Sequence, residues 1–205
     1  MSDGALAARL AGLRAARRTA LIPYITAGFP DPAETAAFLR GARAAGADAV
    51  ELGVPWSDPV ADGPTIQAST HAALRGGMTL ARSLELLAGS AADAPVVVFT
   101  YLNPVLARGA ARFAAEAGAA GASGLLVTDL PVGADDAVER DLRSAALPMT
   151  TPSASAPTSA ACAGEEIPKP TAMGRSVTAR RDATCSPSTS ESAPDSPVTP
   201  SRAIR

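Results

Sequence analysis

Lysine is almost missing from this 205-residue chain: of its 18 basic side chains only Lys169 is lysine. Aromatic residues make up 3%, so any core must be built from alanine, valine and leucine. There is one histidine, His71, and there are two cysteines, Cys162 and Cys185, whose spacing fits no metal motif. No HExxH, P-loop or GxGxxG pattern occurs, so the sequence gives no support to a metal, a nucleotide or another cofactor. A formal net charge of −2 leaves no basic footprint for nucleic acid. No apolar run approaches the ~20 residues of a membrane span. The first residues lack the basic cap, apolar run and cleavage site of a secretory signal, so the expected location is the cytoplasm.

What the chain does have is 47% apolar residues, unevenly spread. After Leu147 there is no further leucine and no aromatic residue, and 26 of the last 57 residues are Ser, Thr or Pro. Such a stretch cannot bury enough apolar surface to offset a backbone entropy of ~1–2 kcal/mol per residue. Two regions are therefore expected: a folded unit over residues 1–148 and a disordered, low-complexity tail over 149–205.

Within the first region, apolar blocks alternate with helical patterns. Strands are predicted over residues 21–27, 48–52, 96–101 and 125–128. Leu6, Leu10 and Leu13 mark an amphipathic helix over residues 5–17. Asp31-Pro32-Ala33-Glu34 supplies an N-cap, a proline at the first helical position and an acidic third residue, opening a helix to about residue 45. Pro64 opens another, which ends at Gly76-Gly77, and Thr79 caps the next. Asn103-Pro104 is predicted to turn the chain before a helix over 108–117, and a last helix is expected over 134–146. Alternating strands and helices imply parallel βαβ units, here four strands in sequential order with helices on one side. The loops at the strand C-termini are then where chemistry is expected.

Glu51 stands out, because it interrupts an apolar strand near its C-terminal end. Burial would raise its pKa toward a range useful for proton transfer. The alternative is a structural glutamate paired with an arginine or a backbone N–H. Asp58 and Asp62 lie in the next loop, stiffened by Pro55, Pro59 and Pro64; Asp62 could instead cap a helix. Asp129 has the same ambiguity at a strand end before Pro131. His71 is expected to be an ordinary helix residue.

The run over residues 47–67, ADAVELGVPWSDPVADGPTIQ, resembles the signature of the tryptophan synthase α chain family. PYITAGFP at 23–30 and VTDLP at 127–131 are similar to that family's first strand and turn and its fourth strand end. The resemblance covers roughly residues 5–148. It implies a (β/α)8 TIM barrel, here the first four βα units, that cleaves indole-3-glycerol phosphate to indole and glyceraldehyde 3-phosphate. By resemblance Glu51 is the general acid–base, and Asp62 is the carboxylate that holds the indole N–H. Tyr24, Phe99, Tyr101 and Asp129 match positions lining the indole pocket. Pro55 and Asp58 match the surface facing a β chain, within an α2β2 tetramer.

The departure from the family lies after residue 148, where a fifth strand should follow and Met149-Thr150-Thr151-Pro152-Ser153 stands instead. The family's phosphate-binding glycines from the late loops have no counterpart. An abrupt change to Ser/Thr/Pro/Arg composition is what a reading-frame shift in a GC-rich gene would produce. Two expectations follow: an enzyme by descent, or a catalytically dead half barrel that at most binds the β chain. Without a phosphate anchor the chain as given is expected not to turn over.

Overall fold

The computed structural model describes residues 4–145 and 147–150. Five parallel strands form one sheet in strictly sequential order: β1 (Tyr24–Thr26), β2 (Val50–Gly53), β3 (Val96–Thr100), β4 (Gly124–Val127) and β5 (Met149–Thr150). The first four are the predicted ones, with β1 and β3 shorter than expected and β2 and β4 displaced by one or two residues. The fifth is a two-residue strand where none was expected; it pairs Met149 with Leu125 and Thr150 with Leu126. The sequence signal for it was too short to read, since two residues carry no periodicity. The expected tail beyond residue 150, with both cysteines, lies outside the described residues.

Register fixes which side chains share a face. Tyr24, Glu51 and Val97 stand level across β1, β2 and β3, and Thr26, Gly53 and Phe99 form the next row. Successive strand residues point to opposite sides, so these two rows share one face. The other face carries Val50, Leu52, Val96, Val98, Leu125 and Val127, all buried. It packs against Leu39, Leu84, Leu87, Phe113 and Leu142. Those residues come from α2 (Pro32–Gly41), α4 (Leu80–Gly89), α6 (Ala110–Ala119) and α7 (Asp136–Arg143). Burying each Leu, Val or Phe stabilises the fold by about 1.5–3 kcal/mol. Ala114 and Ala117 beside Phe113 leave little side chain between α6 and the sheet.

Helix starts follow local chemistry. Asp31 accepts the Glu34 N–H at 2.9 Å above Pro32, and Thr79 accepts the Arg82 N–H at 3.2 Å. Asp135 takes the amides of Ala137 and Val138.

Two expectations are corrected. Asn103-Pro104 does not turn the chain but lies within α5 (Leu102–Arg108). Pro104 is its third residue, where a missing N–H costs no intrahelical bond. The chain bends instead at Gly109, whose φ of +87° suits glycine, between α5 and α6. Nor do all helices lie on one side. In α1 (Ala5–Ala15), Leu6 reaches Gly124 from the Glu51 side of the sheet, with its Cδ2 3.3 Å from where a Gly124 Cβ would stand. Asp48 helps to hold α1 there: its buried carboxylate accepts from Arg9 and from the Leu21 N–H at 2.9 Å. α3 (Pro64–Arg75) is tied to β1 by a 2.7 Å hydrogen bond between the Thr26 and Ser69 hydroxyls. Among the described residues no helix is long and apolar enough to cross a membrane.

Candidate active site

The face opposite the helix-packed core is half-buried and carries the chemistry. Glu51 sits in the middle of β2, between Tyr24 and Val97. Among the described residues its carboxylate has no hydrogen-bond or ion-pair partner. The paired, structural reading of Glu51 therefore finds no support. Partial burial pushes its carboxyl above the ordinary glutamate value.

One row toward the strand C-termini, Gly53 leaves space for the Tyr24 ring. A Cβ on Gly53 would stand 2.0 Å from the Tyr24 hydroxyl oxygen. The ring meets Phe99 edge to face, with centroids 5.4 Å apart and planes at 81°. These two rings stand beside the Glu51 carboxyl on the same face of the sheet.

The loop from β2 to α3 brings in the second carboxylate. Asp62 does not cap α3; its residue before the helix is Gly63, without a side-chain cap. The Asp62 backbone carbonyl accepts from Gln67 Nε2 at 2.7 Å, and among the described residues no α3 amide donates to its carboxylate. The Tyr101 hydroxyl accepts the Ala61 N–H at 3.1 Å and lies beside the Asp62 carboxylate. Burial raises the Asp62 carboxyl above its ordinary value, and the Tyr101 hydroxyl partly offsets that. Tyr24 feels both acids: its phenol is pushed up to about 12, mainly by burial, with added repulsion from Asp62 and Glu51. Glu51, Asp62, Tyr24, Phe99 and Tyr101 thus share one site.

The remaining expected residues make other contacts. Asp129 Oδ1 accepts the Leu102 N–H at 2.6 Å, at the start of α5. Asp58 is exposed and accepts from the Ser57 hydroxyl at 2.6 Å. Pro55 is buried and, with Trp56, Met78, Leu80, Pro104 and Arg108, lines a cleft of about 400 Å³ on another side of the loop. His71 is an exposed residue of α3. Gly53 admits a neighbouring strand's tyrosine, a use that only the register reveals. Among the described residues no cluster of His, Cys, Asp and Glu could hold a metal ion.

Comparison with known proteins identifies the family. Residues 10–161 match the family described as Tryptophan synthase alpha chain. The tryptophan synthase alpha chain of Laribacter hongkongensis (strain HLHK9) is 51% identical over 139 residues, 66% of this chain and 53% of that protein. That of Caulobacter sp. (strain K31) is 50% identical over 60% of this chain and 46% of its own length. Among solved structures, tryptophan synthase subunit alpha from Legionella pneumophila str. Paris superposes with a TM-score of 0.68 at 36% identity. It covers 71% of this chain and 57% of its own. The tryptophan synthase a2b2 complex from Pyrococcus furiosus matches with a TM-score of 0.60 at 40% identity, over 64% and 54% of the two chains. The chain spans about half the length of the curated relatives it matches, and its sheet is the first part of their TIM barrel. On its sequence, its strand order and its 10–161 match, the chain belongs to the tryptophan synthase alpha chain family.

Proposed function

We propose that the Glu51 face serves the retro-aldol cleavage of indole-3-glycerol phosphate into indole and glyceraldehyde 3-phosphate. The reaction breaks the bond between the indole ring carbon and the side chain. That ring carbon gains a proton, and a glycerol hydroxyl loses one as it becomes the aldehyde. Glu51 acts as the acid–base, and Asp62 holds the indole N–H and balances the positive charge that develops on the ring. Two carboxyls held in different environments suit a division into a proton carrier and a stabilising anion. Tyr24 and Phe99 offer the apolar walls for the flat ring. The observation that carries this reading is the unpartnered, half-buried Glu51 carboxyl, raised above its ordinary value on the face that Asp62 overlooks. The Pro55 and Asp58 side of the loop faces a β chain in an α2β2 assembly, and the protein works in the cytoplasm.

Catalysis also needs the substrate's phosphate to be anchored, because remote binding energy positions the reacting bond. In a TIM barrel the late loops usually supply that anchor. The test therefore compares two proteins, each with purified β chain, serine and indole-3-glycerol phosphate. One is the 205-residue chain; the other joins residues 1–147 to the C-terminal half of the Laribacter protein. The joined protein should make tryptophan, and the 205-residue chain should make little or none. In the joined protein Glu51→Gln and Asp62→Asn should each reduce turnover by at least ~10²-fold. A folded joined protein in which Glu51→Gln turns over normally would sink the assignment.

A further inference from the structure

The helix α5 begins without a cap of its own. Its N-cap residue, Tyr101, supplies no side-chain acceptor, and the first amides of a helix have no intrahelical partner. The acceptor comes from the neighbouring strand end. Thr128 follows β4 and donates its N–H to the Thr100 carbonyl at 3.1 Å, which sets the next residue, Asp129, level with the start of α5. Its Oδ1 takes the Leu102 N–H at 2.6 Å, a short contact of the charge-assisted kind.

Tyr101 is therefore fixed on both sides. Before it, Thr100 is paired to Val127 in the sheet; after it, Leu102 is tied to Asp129. Its ring is 3% exposed, and its hydroxyl receives the Ala61 N–H at 3.1 Å, one residue from Asp62. A continuous set of contacts runs from the end of β4, through the first amide of α5 and the Tyr101 ring, to the loop after β2.

We propose that Asp129 is a positioning residue: by capping α5 it sets Tyr101 against the Ala61–Asp62 segment and so holds the Asp62 carboxylate in its working environment. This role is separate from the place in the indole pocket that the resemblance implies. Its importance for turnover rests on the proposed role of Asp62, whereas the coupling itself does not.

The test reads Asp62 directly, by ¹³C NMR titration of its carboxyl in the 205-residue chain, with Asp62→Asn to identify the signal. The Tyr101 hydroxyl favours charged Asp62, so its loss should raise the Asp62 titration. Tyr101→Phe and Asp129→Ala should both raise it. Asp129→Asn keeps an acceptor oxygen and should leave it unmoved. Leu102→Pro removes the donor instead of the acceptor, at a first helical position that tolerates proline, and should act like Asp129→Ala even if that variant folds poorly. Adding Asp129→Ala to Tyr101→Phe should bring no further rise. An unchanged Glu51 signal reports that the sheet is intact. An Asp62 titration that stays put in both Asp129→Ala and Leu102→Pro overturns the proposal, as does a full extra rise in the double variant. If the coupling holds while the joined protein cleaves nothing, the positioning stands and the functional reading falls.

Discussion

Replacing Gly53 by alanine should cost stability for a reason that lies on another strand. Its backbone is not left-handed, so an alanine there is not strained. The new methyl group would stand 2.0 Å from the Tyr24 hydroxyl oxygen, 2.5 Å from Cζ and 2.7 Å from Cε2. Three atoms of a rigid ring are involved, so no small rotation relieves the clash, and the ring must swing away. It then gives up its edge-to-face contact with Phe99, about 0.5–1.5 kcal/mol, and part of its burial. Overpacking of this kind costs about 1–3 kcal/mol. Against it stands a gain of about 0.4–1 kcal/mol, since alanine has less freedom to lose on folding than glycine. The net is a loss of about 1–2 kcal/mol, read as the shift in urea unfolding followed by circular dichroism. The decisive control is the Tyr24→Ala background. With the ring gone only the entropic gain is left, so Gly53→Ala should become neutral or stabilising by up to about 1 kcal/mol. The same loss in both backgrounds would refute the reasoning and point to a cause within β2 itself.

Further predictions concern the two acids with opposite shifts. The folded Glu51 carboxyl holds its proton to higher pH than the unfolded chain does, so its contribution to stability falls as pH rises from the ordinary glutamate value through the raised one. Glu51→Gln should unfold at higher urea than the parent at pH 7, and the gap should close near pH ~4, where both carry an uncharged side chain. Asp48 runs the other way: the Leu21 N–H and the Arg9 guanidinium hold its carboxyl below the ordinary value. Its contribution is present above the ordinary aspartate range and is lost as pH falls through the depressed value. Asp48→Asn should lower the urea midpoint at pH 7 and flatten its decline in acid; equal midpoints at pH 7 would contradict this.

Four strands were legible as short apolar runs between helical patterns: β3 is VVVFT, apolar on its half-buried face as well as on its buried one. Helix starts at Asp31 and Thr79 were legible because caps act over three residues. What escaped depends on neighbours distant in sequence. Pro104 looks like a turn until it is seen in the first turn of α5, where its missing N–H does no harm. The capping of α5 by Asp129 could not be read until its partner, 27 residues earlier, was known. The shared placement of Glu51 and Asp62 was reached through resemblance. Spacing alone left a paired glutamate and a helix-capping aspartate open, and only the packing decides against both. Pro55 and Asp58 are near neighbours in sequence, yet one is buried in a cleft and the other is exposed.

The strictly sequential strand order also governs how the chain assembles as it is made. Every strand after the first finds its partner already synthesised, separated from it by one or two helices. The sheet can therefore lengthen one strand at a time behind the ribosome, each step closing only the loop back to the strand before it. The N-terminal helix α1 is the exception. It emerges first and can be held early, once Asp48 is present to receive Arg9. Its Leu6 has to wait for Gly124 on β4 before its apolar end is covered. Until β4 is made α1 is a tethered helix with a free greasy tip, and in that interval a nascent chain is open to capture by a chaperone or by its neighbours.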